Sequence, residues 1–218
     1  MSTARQLKRN LYIVDDDDAV RHSLARLLGR ISDCLVQCFA SGSEFLARSP
    51  ALAEGVLLLD LNMRGHNGMA VLCEVQPQHK YLPIILTGHG TVGHSVNAMK
   101  AGAFDFLEKP CDPVLLLDCL ARGFEARALM CQAENGRKEA QLRLAVLSPR
   151  EAQVLDALLD GLINKQIAHR LGISARTIEV YRANILRKLL AKTLAQAFHL
   201  VFAAYGPDGR VCRGAANG

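Results

Sequence analysis

Long apolar runs are missing from this chain of 218 residues. No stretch approaches the roughly 18 uninterrupted apolar positions that a membrane-spanning helix needs, so no membrane association is expected. A secretory leader is not expected either. Residues 1–10 carry Arg5, Lys8 and Arg9, but no apolar core and cleavage site follow, and the chain reads as cytoplasmic. Cysteines with metal-type spacing are absent too. The seven cysteines (Cys34, Cys38, Cys73, Cys111, Cys119, Cys131 and Cys212) are odd in number and scattered. That pattern argues against a disulfide framework or a zinc site, and most of them read as small buried hydrophobes, with Cys131 and Cys212 as the two open to exposure. What the chain does have is apolar content: half of its residues, ample for two small cores in one or two domains.

Four apolar segments end in polar residues of matching chemistry. Val56-Leu57-Leu58-Leu59 runs into Asp60 and reads as a fully buried parallel strand. Tyr12-Ile13-Val14 runs into Asp15-Asp16-Asp17-Asp18. Pro83-Ile84-Ile85-Leu86 ends in Thr87, and Phe104-Asp105-Phe106-Leu107 ends in Glu108-Lys109-Pro110. In an open α/β sheet the C-terminal strand ends share one crevice, where ligands bind. A carboxylate cluster, a lone carboxylate, a hydroxyl and an ammonium are thereby delivered to one edge. Few hard oxygen ligands suit Mg²⁺ that keeps several waters. A carboxylate beside such a metal can attack a phosphoryl group, while the metal, the ammonium and the hydroxyl stabilise the transferring oxygens. A single aspartate at a strand end would be an ordinary solvated cap; four matched ends are not.

Strand and helix alternate through the first half. Strands read at about 11–14, 35–39, 56–60, 83–87 and 105–108, and helices at about 18–30, 43–48, 68–76, 92–101 and 113–126. Five such pairs imply an α/β fold, a flavodoxin-like (βα)5 domain over residues 8–125 with strand order 2-1-3-4-5. That order sets strands 1 and 3 side by side, and with them Asp15, Asp16 and Asp60. Residues 126–147 turn polar and read as a partly helical linker, open to continuing the preceding helix, with Asn135-Gly136 as its expected break.

Residues 148–204 read as a small all-α domain of four helices. Ser148-Pro149-Arg150-Glu151 is an N-cap, a first-turn proline and a capping-box glutamate. Asn164 to Leu171 and Ala175 to Leu190 are two helices joined by a short turn containing Gly172, which matches a helix-turn-helix, whose second helix enters the DNA major groove. Charge divides with the domains. Residues 1–125 hold 12 Lys+Arg and 14 Asp+Glu; residues 126–218 hold 14 and 7. A basic half fits phosphate-backbone binding, though a basic helix taken alone is more often a solvated face. Residues 205–218 are rich in glycine and small residues and read as a disordered tail.

Val14-Asp15-Asp16, Asp60, Thr87-Gly88-His89-Gly90, Ala98-Met99-Lys100-Ala101-Gly102-Ala103 and Glu108-Lys109-Pro110 together resemble the receiver domain of two-component response regulators, in particular the FixJ branch. The resemblance implies that Asp60 is the phosphoacceptor and that Mg²⁺ is held by Asp15, Asp16, Asp60 and the backbone carbonyl of Asn62. It further implies that Thr87 is the switching hydroxyl, Phe106 the rotating aromatic and Lys109 the essential lysine, followed by a cis bond to Pro110. Ser148-Pro149-Arg150-Glu151, Gly161, Asn164-Lys165-Gln166-Ile167-Ala168, Leu171-Gly172-Ile173-Ser174, Arg176-Thr177-Ile178-Glu179-Val180 and Arg187-Lys188-Leu189 resemble the LuxR-type DNA-binding domain of the NarL/FixJ regulators. By that match Glu179, Val180 and Ala183 face base edges, while Lys165, Thr177, Tyr181, Arg182 and Lys188 meet phosphates.

The resemblance implies a phosphorylation-activated transcription factor, an activator rather than a repressor and not a dedicated enzyme. Its implied partners are a sensor histidine kinase, a double-stranded operator with two half-sites, a second copy of the chain once phosphorylated, and RNA polymerase. Two departures stand out. Arg64 replaces the family's usual proline beside the acceptor loop, which frees φ and adds a cation. Tyr181 replaces a usual histidine; both donate to phosphate, but tyrosine does not become cationic near neutral pH. Two rival readings are weaker. A Mg²⁺-dependent phosphohydrolase would need a substrate-binding subdomain, which is not visible, and would leave the basic half unexplained. A constitutive DNA binder would have no use for the complete Asp15, Asp16, Asp60, Thr87 and Lys109 set.

Overall fold

A computed structural model describes residues 9–31, 33–63, 67–88 and 92–214. Five parallel strands form one sheet: β1 (Arg9–Val14), β2 (Cys34–Phe39), β3 (Gly55–Leu59), β4 (Tyr81–Thr87) and β5 (Asp105–Glu108). Their order is β2-β1-β3-β4-β5, as the alternation predicts. The helices α1 (Asp18–Leu28), α2 (Gly42–Arg48), α3 (Gly68–Val75), α4 (Val92–Lys100) and α5 (Pro113–Leu144) connect or follow the strands.

Both faces of the sheet are covered, which is why β3 is apolar at every position. Leu57 and Leu59 join Tyr12, Val14 and Ile85 under Phe45, Leu72, Val75 and Ala98 on one face. Val56 and Leu58 join Leu11, Ile13 and Ile84 under Leu24, Leu28, Leu120 and Phe124 on the other. Each such leucine or isoleucine, fully buried, contributes roughly 1.5–3 kcal/mol.

The chain divides into two compact units, residues 1–129 and 130–218, with the division inside α5. The second unit contains α6 (Pro149–Leu159), α7 (Asn164–Leu171), α8 (Ala175–Lys188), α9 (Leu194–Tyr205) and the short α10 (Val211–Gly214). Leu155, Ile167, Ile178, Ile185, Leu189, Ala197 and Val201 make its core. Ala140 and Leu144 of α5 complete it. None of the helices searched among the described residues is long and apolar enough to cross a membrane.

Three expectations need correction. The linker has no break at Asn135-Gly136: α5 is one helix of 32 residues. An interior glycine costs only about 1 kcal/mol, and a helix already begun on one side and packed through Leu144 on the other absorbs it. The tail is not structureless through its first part. The Asp156 carboxylate accepts from Val211 N at 2.9 Å and Cys212 N at 3.0 Å, capping α10, and Val211 enters the core. Composition misled because a single apolar residue and one cap hold this segment. Of the cysteines only Cys119 is buried; Cys34, Cys111 and Cys131 are half-buried, and Cys38, Cys73 and Cys212 are exposed. Cys38 stands on the edge strand β2, which covers less than an inner strand does. Arg64 lies outside the described residues.

A Cβ built on Gly136 meets nothing within 4 Å. Gly136→Ala is therefore expected to stabilise α5 by about 0.5–1 kcal/mol, read as a higher midpoint in denaturant melts followed by helical circular dichroism. An unchanged or lower midpoint would mean that the glycine serves a bend the helix needs.

Candidate functional site

The register of the sheet places the strand ends together. Val14 stands opposite Leu59, and Asp60 N donates to Val14 O at 2.9 Å, so Asp15 and Asp60 leave the sheet as neighbours. Thr87 stands opposite Glu108, and Lys109 N donates to Thr87 O at 2.9 Å. At the back of the acceptor loop, α3 begins on Gly68. A Cβ there would lie 2.1 Å from Asp60 O, so only glycine lets the helix start this close.

The four consecutive aspartates divide their work. Asp17 caps α1, accepting from Ala19 N at 2.8 Å, and Asp18 in the first turn pairs with Arg21. Asp15 and Asp16 turn to the crevice, where one carboxylate oxygen from each and one from Asp60 lie within 4.8 Å of one another. Asp15 is 2 % exposed and Asp60 7 %. Lys109 Nζ lies 2.5 Å from Asp15 Oδ2 and 2.8 Å from Asp60 Oδ2. Burial works to lower the Lys109 pKa, but hydrogen bonds and charge from both carboxylates outweigh it, and the net shift is upward. The Lys109–Pro110 peptide is cis. Asp60 Oδ1 accepts from Asn62 N at 3.0 Å, and the Asn62 amide donates to Thr87 Oγ1 at 3.2 Å. Thr87 is fully buried, and half-buried Phe106 packs against the same core face as Ile85. Asp15, Asp16, Asp60, Asn62, Thr87 and Lys109 thus lie along one edge of the sheet, while Phe106 stands inside β5 opposite Ile85. Arg21 was not singled out: its guanidinium donates to Asp15 O at 2.6 Å and steadies the acidic turn.

The second unit presents another surface. α7 ends on Gly172 at φ 67°, a left-handed conformation that favours glycine, and Ser174 caps α8 by accepting from Thr177 N at 3.0 Å. Ile178, Ile185 and Leu189 bury one stripe of α8. Glu179, Val180 and Ala183 share an exposed stripe of α8 with Arg176, and Lys165 of α7 is exposed. Thr177 is half-buried at the N-terminus of α8. Tyr181 packs partly on the core, so its ring is accommodated as a packing group. Arg182 NH1 donates to Asn164 Oδ1 at 2.9 Å, which ties α8 to α7 and fixes where the guanidinium points. Lys188 is engaged with Glu151 at 2.7 Å. The Asn164 and Glu151 partnerships were not legible in the sequence, where each residue reads as part of its own helix start.

Two family models match the chain. Residues 11–121 match the response regulator receiver domain, and residues 145–201 match bacterial regulatory proteins of the luxR family. The chain belongs to the two-component response regulators. It is 41% identical over 195 residues to the transcriptional regulatory protein FixJ of Azorhizobium caulinodans, covering 89% of this chain and 92% of that one. It is 39% identical over 200 residues to FixJ of Rhizobium meliloti, covering 91% and 98%. Among solved structures, the response regulator StyR superposes with a TM-score of 0.76 at 36% identity, covering 89% of this chain and 98% of that one.

As a response regulator with a LuxR-type domain, the chain is a transcriptional regulator that takes its input at the receiver and binds DNA through the helical domain. The acidic pocket fits Mg²⁺: three carboxylates converge, two of them deeply buried, and one ammonium is the cation now holding them. That ammonium occupies oxygens that a metal would share. Lys109→Met is therefore expected to bind Mg²⁺ about thirtyfold more tightly, since removing a unit charge about 4 Å from a divalent ion is worth ~2 kcal/mol even in water-like surroundings. Calorimetric titration of both proteins checks this; equal or weaker affinity in the variant would show that the ammonium does not compete.

Proposed function

We propose that this response regulator accepts a phosphoryl group on Asp60 from the phosphohistidine of a sensor histidine kinase, dimerises, and binds a two-half-site operator to activate transcription in the cytoplasm with RNA polymerase. The observation that carries the proposal is Lys109 Nζ, bonded at once to Asp15 Oδ2 and Asp60 Oδ2 in a chain whose other unit is a helix-turn-helix. A carboxylate oxygen of Asp60 attacks phosphorus, the new O–P bond forms, and the P–N bond breaks to release imidazole. Asp15, Asp16, Asp60 and the Asn62 carbonyl would hold Mg²⁺, which supplies charge neutralisation on the transferring oxygens. Lys109 keeps its proton and pairs with a phosphoryl oxygen. Thr87 leaves the Asn62 amide for another, and Phe106 turns into the space it vacates. The chain is not a dedicated enzyme, although the acyl phosphate can hydrolyse in place.

Dimerisation through α4 and β5 is supported by the exposed apolar side chains of Val96 and Met99 on α4. Two linked helical domains then gain effective concentration on paired half-sites. Glu179, Val180 and Ala183 read bases; Lys165, Thr177, Tyr181 and Arg182 meet phosphates.

Asp60→Asn is isosteric but not nucleophilic. With a small phosphodonor and Mg²⁺, wild type is expected to gain one phosphoryl group by intact mass and to move toward dimer by light scattering, and Asp60→Asn to do neither. Equal uptake by both proteins would sink the acceptor assignment, and an unchanged mass in solution under verified phosphorylation would sink dimerisation.

Glu179→Gln tests base reading. Sites selected from random DNA by the variant are expected to differ from wild type at one position per half-site, with a preference changed by about 1–3 kcal/mol. Identical motifs would mean that Glu179 only orients a neighbouring arginine.

A further inference from the structure

Lys188 and Glu151 are 37 residues apart and belong to different helices. Glu151 lies in the first turn of α6 and Lys188 in the last turn of α8, and the Lys188 Nζ to Glu151 Oε2 distance is 2.7 Å. Glu151 is only 4 % exposed. The same Oε2 accepts from Ser148 N at 2.7 Å, and Ser148 Oγ accepts from Glu151 N at 3.3 Å. Burial raises the Glu151 pKa, but Lys188 and the Ser148 donors outweigh it and hold the carboxyl ionised below its usual range. The neighbouring backbone is gripped as well. Arg143 donates to Leu189 O, Lys188 Nζ reaches toward Val146 O at 3.5 Å, and the Leu189 side chain is fully buried.

We infer that Lys188 is a positioning residue for the recognition helix α8, acting through Glu151, and is not one of the cations that neutralise DNA phosphates. This replaces the role that resemblance implies for Lys188, and it rests on the reading of α8 as the DNA-binding helix. Two physical arguments carry it. A phosphate brought to Nζ meets the Glu151 carboxylate on the same nitrogen, so the pair presents almost no net charge to the DNA. Recruiting the ammonium away would leave a buried carboxylate without its cation, a far larger cost than one phosphate contact returns. Lys165, exposed on α7, makes no such ion pair among the described residues. What the pair does is join the C-terminal end of α8 to the N-terminal end of α6, setting the pose of the helix that carries Glu179, Val180 and Ala183.

The two roles differ in a measurable way. A lysine that neutralises one phosphate contributes about 0.9 to the slope of log K against log salt, and its loss weakens binding most at low salt. A positioning residue lowers affinity by the same factor at every salt concentration. The full-length wild type, Lys188→Met, Glu151→Gln, the double variant and Lys165→Met are each titrated with a duplex bearing a site selected by the wild type, across a salt series well below their melting temperatures. Lys188→Met is expected to lose about tenfold in affinity, within the range seen when a coupled residue outside the contact surface is changed, with its slope unchanged. Lys165→Met is expected to lose about 0.9 in slope.

Glu151→Gln decides the sign, and its amide still accepts from Ser148, so the fold is kept even if Lys188→Met does not fold. Positioning predicts weaker binding in Glu151→Gln at constant slope, and no further loss when Lys188→Met is added to it. A masked phosphate contact predicts the opposite: tighter binding and a steeper slope once the carboxylate charge is gone. A slope reduced by about 0.9 in Lys188→Met, tighter binding by Glu151→Gln, or additive losses in the double variant would each overturn the inference. So would unchanged affinity in both single variants with only a lowered melting temperature, which would leave a purely structural ion pair. If wild type selects no DNA at all, the DNA-binding reading fails first and separately.

Discussion

Lys109 holds two buried carboxylates that would otherwise repel each other. Its ammonium spans 94 residues of sequence to Asp15 and 49 to Asp60. Two negative charges at 2 % and 7 % exposure are costly to keep unless a cation stands between them. The rest of the receiver serves this arrangement. The order β2-β1-β3-β4-β5 makes β1 and β3 neighbours, and the register from Val14 to Leu59 ends both strands at the same level. The β4–β5 register brings Lys109 level with the residue after Thr87, and Gly68 lets α3 start against the Asp60 carbonyl. The upward shift of the Lys109 pKa sets the alkaline limit of the clamp: the ammonium's contribution is full below the ordinary lysine value and is lost only as pH rises through the raised one.

The receiver was legible because its chemistry and its periodicity coincide. An apolar run buried on both faces, ending in a carboxylate, is a strong local signal, and β3 with Asp60 is one. Alternation and handedness left a few strand orders, and 2-1-3-4-5 is the flavodoxin-like one that sets Asp15 and Asp16 beside Asp60. What escaped were side-chain partnerships that neither capping patterns nor hydrophobic periodicity announce. Arg21 reads as one cation on an amphipathic helix, and nothing local says that its guanidinium meets the Asp15 carbonyl. Glu151 reads correctly as a capping-box residue, yet its second partner is 37 residues away. The break expected at Asn135-Gly136 failed for a different reason. Local propensity weighs about 1 kcal/mol there, and packing of the following turns onto the helical core outweighs it. Residues 206–214 failed likewise, because one aspartate cap and one buried valine are too small a signal to register in composition.

Charge shows how the two units differ in physical task. The receiver half carries a slight acidic excess, 14 Asp+Glu against 12 Lys+Arg, and gathers Asp15, Asp16 and Asp60 at one crevice. The helical half carries twice as many cations as anions, 14 against 7. Yet its cations are not equivalent. Arg182 has one donor fixed on Asn164, Arg187 donates to Asn184, and Lys188 is spent on Glu151. A count of basic residues therefore overstates the number available to phosphates. Glu179, Val180 and Ala183 themselves add one carboxylate and two apolar side chains to an exposed surface that also carries Arg176.

On the proposed mechanism, the added phosphoryl charge cannot switch the domain through Lys109 alone. The ammonium is already bonded to Asp60 and remains protonated, so its position changes little when Asp60 gains new oxygens. The movable bond is the one between the Asn62 amide and Thr87 Oγ1, a neutral contact of 3.2 Å that a charged phosphoryl oxygen can outcompete. Thr87 is fully buried, so its displacement leaves a void, and close-packed interiors do not keep voids of that size without cost. Phe106 lies on the adjacent strand, on the same face as Ile85, and is only half-buried. It is the neighbouring side chain with volume still outside the core, so filling the void draws it inward and alters the surface at β5. The local electrostatic event becomes a change of shape because one buried hydroxyl cannot move without a ring to take its place.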